Sequence, residues 1–172
     1  MKRNILLFGS IIGGILCANM IVMVNMMYSD THFKGNDVVG YAAMIILFSL
    51  IFFGVKNHRD KQLRGYISFG KAFKMGSLIA LVGATLYVVV WLFYYYLFVP
   101  DFIDVYTGYV LTTCAPEDIE TKTAQMADFK EMYKNPLFVI LITYSEGLPV
   151  GLVVALVSAL LLKRKQFEKS LS

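Results

Sequence analysis

Four long apolar runs, separated by polar segments, dominate this sequence. They cover residues 4–27, 38–55, 75–99 and 137–162. A helix rises 1.5 Å per residue, so about 20 consecutive apolar residues are enough to cross the hydrocarbon core of a bilayer. Because no water is available there, each run must satisfy its own backbone hydrogen bonds, as a helix does. We therefore expect an all-α fold, an integral membrane four-helix bundle with the lipid bilayer as a partner.

The composition agrees with a membrane protein. The chain is 58% hydrophobic and 16% charged, whereas a soluble domain is about 45–50% apolar and about 25% charged. Four spans with their loops use up the 172 residues, so we expect a single transmembrane domain over residues 1–172. Lys2 and Arg3 precede the first run, as in a signal peptide, but the run is longer than a signal sequence needs. We therefore expect an uncleaved first span.

Basic residues are distributed unevenly between the two sides of this predicted bundle. The two termini and the loop 56–74 carry 12 of the 16 Lys and Arg residues, and the loops 28–37 and 100–136 carry the other four. Because Lys and Arg accumulate in cytoplasmic loops, we expect both termini and loop 56–74 in the cytoplasm and the other two loops outside it. The net charge of +4 follows from this pattern, so we expect no nucleic acid partner.

The second outer loop contains a predicted surface helix at residues 116–134. The segment begins with a proline and three acidic residues, which suit the first turn of a helix. A sparse apolar stripe follows at spacings that fit one helix face. Its members are Ile119, Met126, Phe129 and Tyr133. We expect a short amphipathic helix against the outer end of the bundle, with a mobile polar loop as the alternative.

The aromatic cluster at residues 91–98 ends the third run. Rings with one polar edge favour the headgroup level of a bilayer, so we interpret the cluster as an interfacial belt. A groove for an acyl chain or a sugar is the alternative. The two histidines, His32 and His58, occur singly in polar loops, and we interpret both as ordinary surface residues.

Small residues recur every four positions in three of the spans. Helices in lipid associate through close packing, which such stripes allow. We expect packing within the chain, with a homodimer seam or contact with another membrane protein as the alternative. The stripes consist of Gly9 and Gly13 in the first span, Gly76, Ala80 and Ala84 in the third, and Gly147, Gly151 and Ala155 in the fourth.

Glu146 is the one acidic residue inside a predicted span. A charge in the bilayer is costly, so this carboxylate is a candidate functional site. Thr143 and Tyr144 are near enough to hydrogen-bond it or the local backbone, and Pro149 predicts a kink or a break. Alternatively, a protonated Glu146 serves only to hold two spans together. Its candidate partners on other spans are Asn19, Asn25, Ser49, Ser77 and Thr85.

Common catalytic motifs, such as the metalloprotease, nucleophile-elbow and phosphate-loop patterns, do not occur in the sequence. Cys17 and Cys114 belong to different depths, so we expect two free thiols. We expect no catalytic residue, no metal and no cofactor. A lipid-modifying enzyme that uses the outer-loop carboxylates Asp101 and Asp104 is a minor hypothesis.

Four segments carry a resemblance to a known family. They are the Gly-rich first span behind a basic N-terminus, FFGVKNHRDKQLRGYISFGKAFKMG at 52–76, YYYLFVPDF at 94–102, and FKEMYKNP at 129–136. In combination they resemble the bacterial family known as domain of unknown function 4199, a group of small four-span membrane proteins. The resemblance covers nearly the whole chain. It implies a length, a topology and a bacterial inner membrane, and it implies no activity and no catalytic residue.

Two functional hypotheses follow. The first is a non-enzymatic inner-membrane protein that acts through protein or lipid contacts as an accessory to an envelope system. The second is a small transporter or channel component, monomeric or dimeric, with Glu146 as its protonatable site. A dry, closed environment around Glu146 favours a packing role, whereas a water-filled cavity that reaches one face favours transport.

Overall fold

Seven α-helices form most of the structure, a computed structural model that describes residues 1–29 and 37–164. They are α1 (Lys2–Ser29), α2 (Asp37–Phe48), α3 (Leu50–Gln62), α4 (Phe69–Phe98), α5 (Phe102–Thr113), α6 (Ile119–Tyr133) and α7 (Pro136–Leu162), with a short 3-10 turn, Pro116–Asp118, before α6. Helices α1, α4, α7 and the α2–α3 pair are long and apolar enough to cross a membrane. The predicted all-α fold with four spans is confirmed. Residues 30–36, which include His32, and residues 165–172 lie outside the described part of the chain.

Helix α4 lies at the centre, because it packs along both α1 and α7. Glycines make these two interfaces close. A Cβ placed on Gly13 of α1 would lie 2.9 Å from the carbonyl oxygen of Gly83 on α4. A Cβ on Gly76 of α4 would lie 2.9 Å from the Cβ of Ala155 on α7. Such distances leave no room for a side chain, so the backbones approach each other as small-residue stripes allow.

The second span is interrupted at Ser49, between α2 and α3. The hydroxyl of Ser49 donates to the carbonyl of Ile46 at 2.5 Å, and its N–H donates to both Ile45 and Ile46, at 2.9 and 3.2 Å. Serine side chains that bond back to the preceding turn often bend helices. Helix α7, in contrast, runs without interruption through Pro149. The helix break that the sequence predicts near Pro149 is therefore wrong, and the interruption lies in the second span.

The end of the bundle that carries the termini and residues 56–74 is called the basic end. Helix α3 continues seven residues beyond the apolar run, and α4 begins six residues before the next one. The connection turns at Arg64 and Gly65, whose φ angles of 52° and 86° lie in the left-handed region that favours glycine. The N–H of Arg164 donates to the carbonyl of Ile67 at 2.9 Å. This bond joins the end of α7 to the same connection.

His58 is buried, with 7% of its surface exposed, so its interpretation as a surface residue is wrong. The reason is the extension of α3 beyond the apolar run. Ile51, Val55 and His58 are spaced by four and three residues, which places them on one helix face. All three are buried in the bundle.

The opposite end, called the aromatic end, carries α5, α6 and the last turns of α4. The predicted amphipathic helix is present as α6, where Tyr133 is buried and Phe129 is half-buried, although Ile119 is exposed. A second helix, α5, precedes it where the sequence predicts only loop. Phe102 and Tyr106 lie one helical turn apart on α5, and their rings stack at 5.8 Å. The single-helix expectation for this loop is therefore incomplete.

Two hydrophobic clusters divide the core of the bundle. One lies toward the basic end and includes the fully buried Ile12, Ile51 and Met75. The other lies toward the aromatic end and includes Trp91 and Val139. On α7, Glu146 falls between the parts that contribute to the two clusters. The carboxylate therefore lies where the packing changes from aliphatic to aromatic.

Candidate functional site

Glu146 is the eleventh residue of the 27-residue helix α7. A rise of 1.5 Å per residue places it about 15 Å from the start of that helix. The start itself is well defined, because the side chain of Asn135 accepts from the N–H of Leu137 at 3.0 Å and Pro136 takes the first helical position. The acid therefore lies at a fixed distance from the start of the helix that forms the fourth candidate span.

The side chain of Glu146 is accessible and borders a cavity of about 270 Å³. The cavity lies between α1, α4 and α7 and extends to α5 and α6 at the aromatic end. Its polar lining residues are Asn19, Thr143 and Glu146, with the tyrosines Tyr87, Tyr106 and Tyr133, and its apolar lining residues are Met20, Met23, Val24, Trp91, Phe102 and Phe129. The lining therefore comes from five helices that are distant in sequence.

Six aromatic side chains form a closed cycle of ring contacts at this end of the bundle, here called the aromatic cycle. Successive ring centroids are 4.7 to 6.3 Å apart, which is the usual range for interacting rings. The order around the cycle is Trp91, Phe102, Tyr106, Phe129, Tyr133, Tyr95 and back to Trp91. All of these except Tyr95 also line the cavity.

The aromatic cluster at the end of α4 therefore has two faces. Trp91 and Tyr95 point into the bundle and are 5% and 8% exposed, whereas Phe93, Tyr96 and Phe98 are exposed. Helical periodicity separates the two sets, since residues 91 and 95 are one turn apart. The exposed set fits an interfacial belt, and the buried set forms part of the cavity wall.

The residues that neighbour Glu146 in sequence hydrogen-bond elsewhere. The hydroxyl of Thr143 donates to the carbonyl of Val139 at 2.7 Å, and the hydroxyl of Tyr144 lies 2.8 Å from that of Thr85 on α4. Pro149 borders a different feature, an apolar groove between α7 and the α2–α3 bend. The four residues that the sequence grouped as one site are thus divided, and only Glu146 and Thr143 line the cavity.

Glu146 makes no hydrogen bond and no ion pair with any other residue in the described part of the chain. Of its candidate partners on other spans, only Asn19 borders the same cavity. Asn25 accepts from the hydroxyl of Tyr94 at 3.2 Å. The hydroxyl of Ser49 donates to a carbonyl of the preceding helix α2, and that of Thr85 donates to a carbonyl of its own helix α4. Ser77 is half-buried, and its buried hydroxyl oxygen has no hydrogen-bond partner among the described residues.

The electrostatic character of the cavity is set by one carboxylate. The lining contains no Lys, Arg or His side chain. Burial and the nearby Glu146 carboxylate both raise the pKa of the Tyr133 phenol, so this hydroxyl stays neutral. Within the described residues the cavity is therefore neutral when Glu146 is protonated and negative when it is ionised.

The outer-loop carboxylates that the enzyme hypothesis uses are both engaged. Asp101 accepts from the hydroxyl of Tyr28 at 2.8 Å, and Asp104 is paired with Lys130. No group of three or more His, Cys, Asp or Glu side chains that could hold a metal ion occurs in residues 1–29 and 37–164. Asp101 and Asp104 therefore connect neighbouring helices.

The residues of the predicted small-residue stripes differ in how closely they face another helix. Gly9, Gly13, Gly76 and Gly151 each face another helix so closely that an added Cβ would lie within 3.0 Å of it. Ala80 and Ala155 form the opposing surfaces for Gly151 and Gly76, and Ala84 is buried on α4. Gly147 differs, because a Cβ there would meet no atom within 4 Å. The contacting glycines support packing within the chain.

Sequence reasoning missed the part of the cavity that α5 and Tyr87 contribute. Phe102 and Tyr106 lie in a segment interpreted as loop, although their four-residue spacing was a usable helical signal. Tyr87 lies in an apolar run, where one more aromatic residue carries no signal of its own. Only the packing of α4 against α1 and α7 brings it to the cavity.

The comparisons with known proteins agree with this description. A family model described as "Protein of unknown function (DUF4199)" matches residues 7–164, a range that contains all of the cavity residues. Neither a curated protein nor a solved structure matches the chain. Because the family match extends over most of its length, the chain belongs to the DUF4199 family of proteins of unknown function.

Proposed function

We propose that this protein is a non-enzymatic protein of the bacterial inner membrane that acts by binding, as an accessory to an envelope system, and that the Glu146 cavity is its ligand-binding site. One observation carries the proposal: an accessible carboxylate inside a span borders a cavity and has no partner in the described part of the chain. A buried carboxylate that only joins helices would be hydrogen-bonded to one of them. An intramembrane acid without such a partner is available for a ligand.

The two halves of the bundle support binding rather than conduction. Toward the basic end, Ile12, Ile51, Val55, Met75 and Ile79 are fully buried. Close helix contacts at glycines accompany them. The cavity lies on the other side of this packed layer, and its described lining reaches α5 and α6 at the aromatic end. A ligand therefore enters and leaves through the same end.

We infer that this aromatic end faces the outside of the cell. The support is the distribution of charge, since 12 of the 16 basic residues belong to the termini and to residues 56–74. Such residues remain in the cytoplasm when a protein inserts. The ligand then comes from the extracytoplasmic side or from the outer leaflet.

The quenching of Trp91 fluorescence by acrylamide tests whether a water-soluble molecule can reach the cavity. Trp91 is the single tryptophan of the chain and lines the cavity. In lipid nanodiscs we expect acrylamide to quench it, and we expect the bulky variant Asn19→Phe, which narrows the cavity, to reduce the quenching. Equal quenching in both proteins, or none in the wild type, would contradict the binding proposal.

Transport with Glu146 as the coupling site is the second candidate. It is favoured by the depth of the acid, about 15 Å along α7, at the junction of the two core clusters. Proteoliposomes carrying a pH-sensitive dye test it. Proton flux that the wild type supports and that Glu146→Gln abolishes, while Asp104→Asn retains it, would establish transport. Equal flux in all three would exclude the coupling role.

A further inference from the structure

We propose that the Glu146 cavity recognises an organic ammonium group, carried either by a small free amine or by a lipid headgroup. This inference rests on the proposed binding function and names the ligand class for the same site. It stands on two independent observations, the charge of the lining and the arrangement of its aromatic rings.

The charge of the lining favours a cation. Among the residues that the structure describes, Glu146 is the one carboxylate that borders the cavity, and no described lining residue carries a compensating basic side chain. An ionised carboxylate in such a site lacks a counter-ion, and a cationic ligand supplies it. An anionic ligand would meet repulsion without any Lys or Arg to offset it.

The aromatic cycle favours an organic cation over a metal ion. Five of its rings line the cavity. Trp91 and Phe102 are in edge contact with ring centroids 4.8 Å apart, and Phe129 and Tyr133 are tilted with centroids 4.7 Å apart. Aromatic faces attract ammonium groups, and walls of several rings are a known means of binding alkylated ammonium. Metal ions such as Mg²⁺ and Ca²⁺ require several oxygen ligands, whereas the part of the cavity lining that the structure describes contains a single carboxylate.

The dimensions also fit a small group. The cavity of about 270 Å³ lies just below the range of about 300–1,000 Å³ that is typical of small-molecule sites. It therefore accommodates a headgroup or a small amine rather than a large ligand. Asn19 of α1 also borders the cavity, and its side-chain carbonyl is an additional acceptor for an N–H or O–H of the ligand.

Matched pairs of charged and neutral ligands provide the test. Choline and its uncharged carbon analogue 3,3-dimethyl-1-butanol form one pair, and ethanolamine and 1-propanol form the other. Each is titrated into the full-length protein in phosphatidylglycerol nanodiscs while Trp91 fluorescence is recorded. We expect saturable binding of at least one ammonium compound and at least tenfold weaker binding of its neutral analogue.

Variants of the chain locate the effect. Glu146→Gln is expected to lose most of the preference for the charged member of each pair, and the aromatic rings retain the remainder. Asp104→Asn, which neutralises a carboxylate at the same end that does not line the cavity, is expected to keep the full preference. Protection of the buried Cys17 thiol from labelling by a thiol reagent shows whether each variant is folded. If Glu146→Gln is not folded, Phe129→Leu takes its place, since it removes one ring and should weaken ammonium binding several-fold.

A second set of nanodiscs, containing phosphatidylethanolamine, separates the two sources of the ammonium group. If the lipid itself shifts Trp91 fluorescence and prevents a further shift by free amine, the ligand is a headgroup. If free amine still binds in these nanodiscs, the ligand is a soluble amine. Both outcomes support the proposal.

Two results would overturn it. Equal binding of the charged and neutral compounds would contradict the ammonium assignment and leave the binding function intact. The absence of any saturable signal in both kinds of nanodisc would contradict the ammonium assignment, and the acrylamide result would then decide separately whether the cavity is open at all.

Discussion

Neighbouring glycines of α1 lie in opposite environments. Gly13 faces α4, where an added Cβ would lie 2.9 Å from both the carbonyl oxygen of Gly83 and the side chain of Leu86. Gly14 is exposed, and a Cβ there would meet no atom within 4 Å. One methyl group is therefore excluded at the first position and accommodated at the second.

The variant Gly13→Ala is expected to lower the stability of the bundle by about 1–3 kcal/mol, which is the usual cost of overpacking. The reason is that the contact at 2.9 Å is with a backbone oxygen, which cannot move away without separating α1 from α4. The measurement is the temperature at which the buried thiol of Cys17 becomes reactive toward a fluorescent maleimide in detergent, in a Cys114→Ser background.

Gly14→Ala is the matched control for that experiment. It adds the same methyl group one residue further along, without a clash, and alanine favours helix over glycine by about 1 kcal/mol. We expect an unchanged or slightly higher unfolding temperature. Equal destabilisation by both variants would show that α1 does not pack on α4 through Gly13.

At the level of helices, α5 and α6 together line the cavity at the aromatic end of the bundle. Phe129 contacts Tyr133 at 4.7 Å on its own helix and Tyr106 at 6.3 Å on α5. Next to it, Lys130 pairs with Asp104 of α5, but both side chains are more than half exposed. Ring contacts and a surface ion pair thus connect the same two helices.

Phe129→Ala is expected to loosen α6, whereas Lys130→Ala is expected to leave it in place. Burying half of a phenylalanine contributes about 1 kcal/mol, and an exposed ion pair contributes about 0–1 kcal/mol. Hydrogen–deuterium exchange of residues 119–133 in nanodiscs measures the difference, and we expect several-fold faster exchange in the first variant only. Faster exchange in Lys130→Ala alone would indicate that the ion pair holds the helix.

At the scale of the whole molecule, the two ends differ in charge as well as in packing. The basic end joins both described termini to the α3–α4 connection. The amino group of Met1 donates to Gln62 at 3.0 Å, and the side chain of Arg59 reaches the carbonyl of Leu162 at 3.4 Å. A guanidinium at the C-terminal end of a helix is favourable for the helix dipole. Contacts between the described termini and the α3–α4 connection therefore order the basic end.

Alkaline phosphatase fusions test the orientation of the bundle. A fusion after Ala124 in α6 is expected to be active, because that helix is proposed to lie outside the cytoplasm, and a fusion after Arg64 in the α3–α4 connection is expected to be inactive. A cytoplasmic reporter at the same two positions serves as the control. The same activity at both positions would contradict an arrangement with four spans.

The sequence by itself determined that this is an all-α protein with four apolar spans. It also determined the α6 helix and the position of Glu146 as the one acidic residue inside a predicted span. These follow from local physics, because the length of an apolar run and the cost of one charge in lipid do not depend on neighbouring helices. Tertiary structure decided which residues surround that acid. The cavity brings Asn19, Tyr87, Phe102 and Tyr133 together with Glu146 from five helices, and Ser49 rather than Pro149 interrupts a span. Such contacts depend on the close approach of α1, α4 and α7 at their glycines. The spacing of small residues along a helix indicates close packing, but it does not say which helix is the partner.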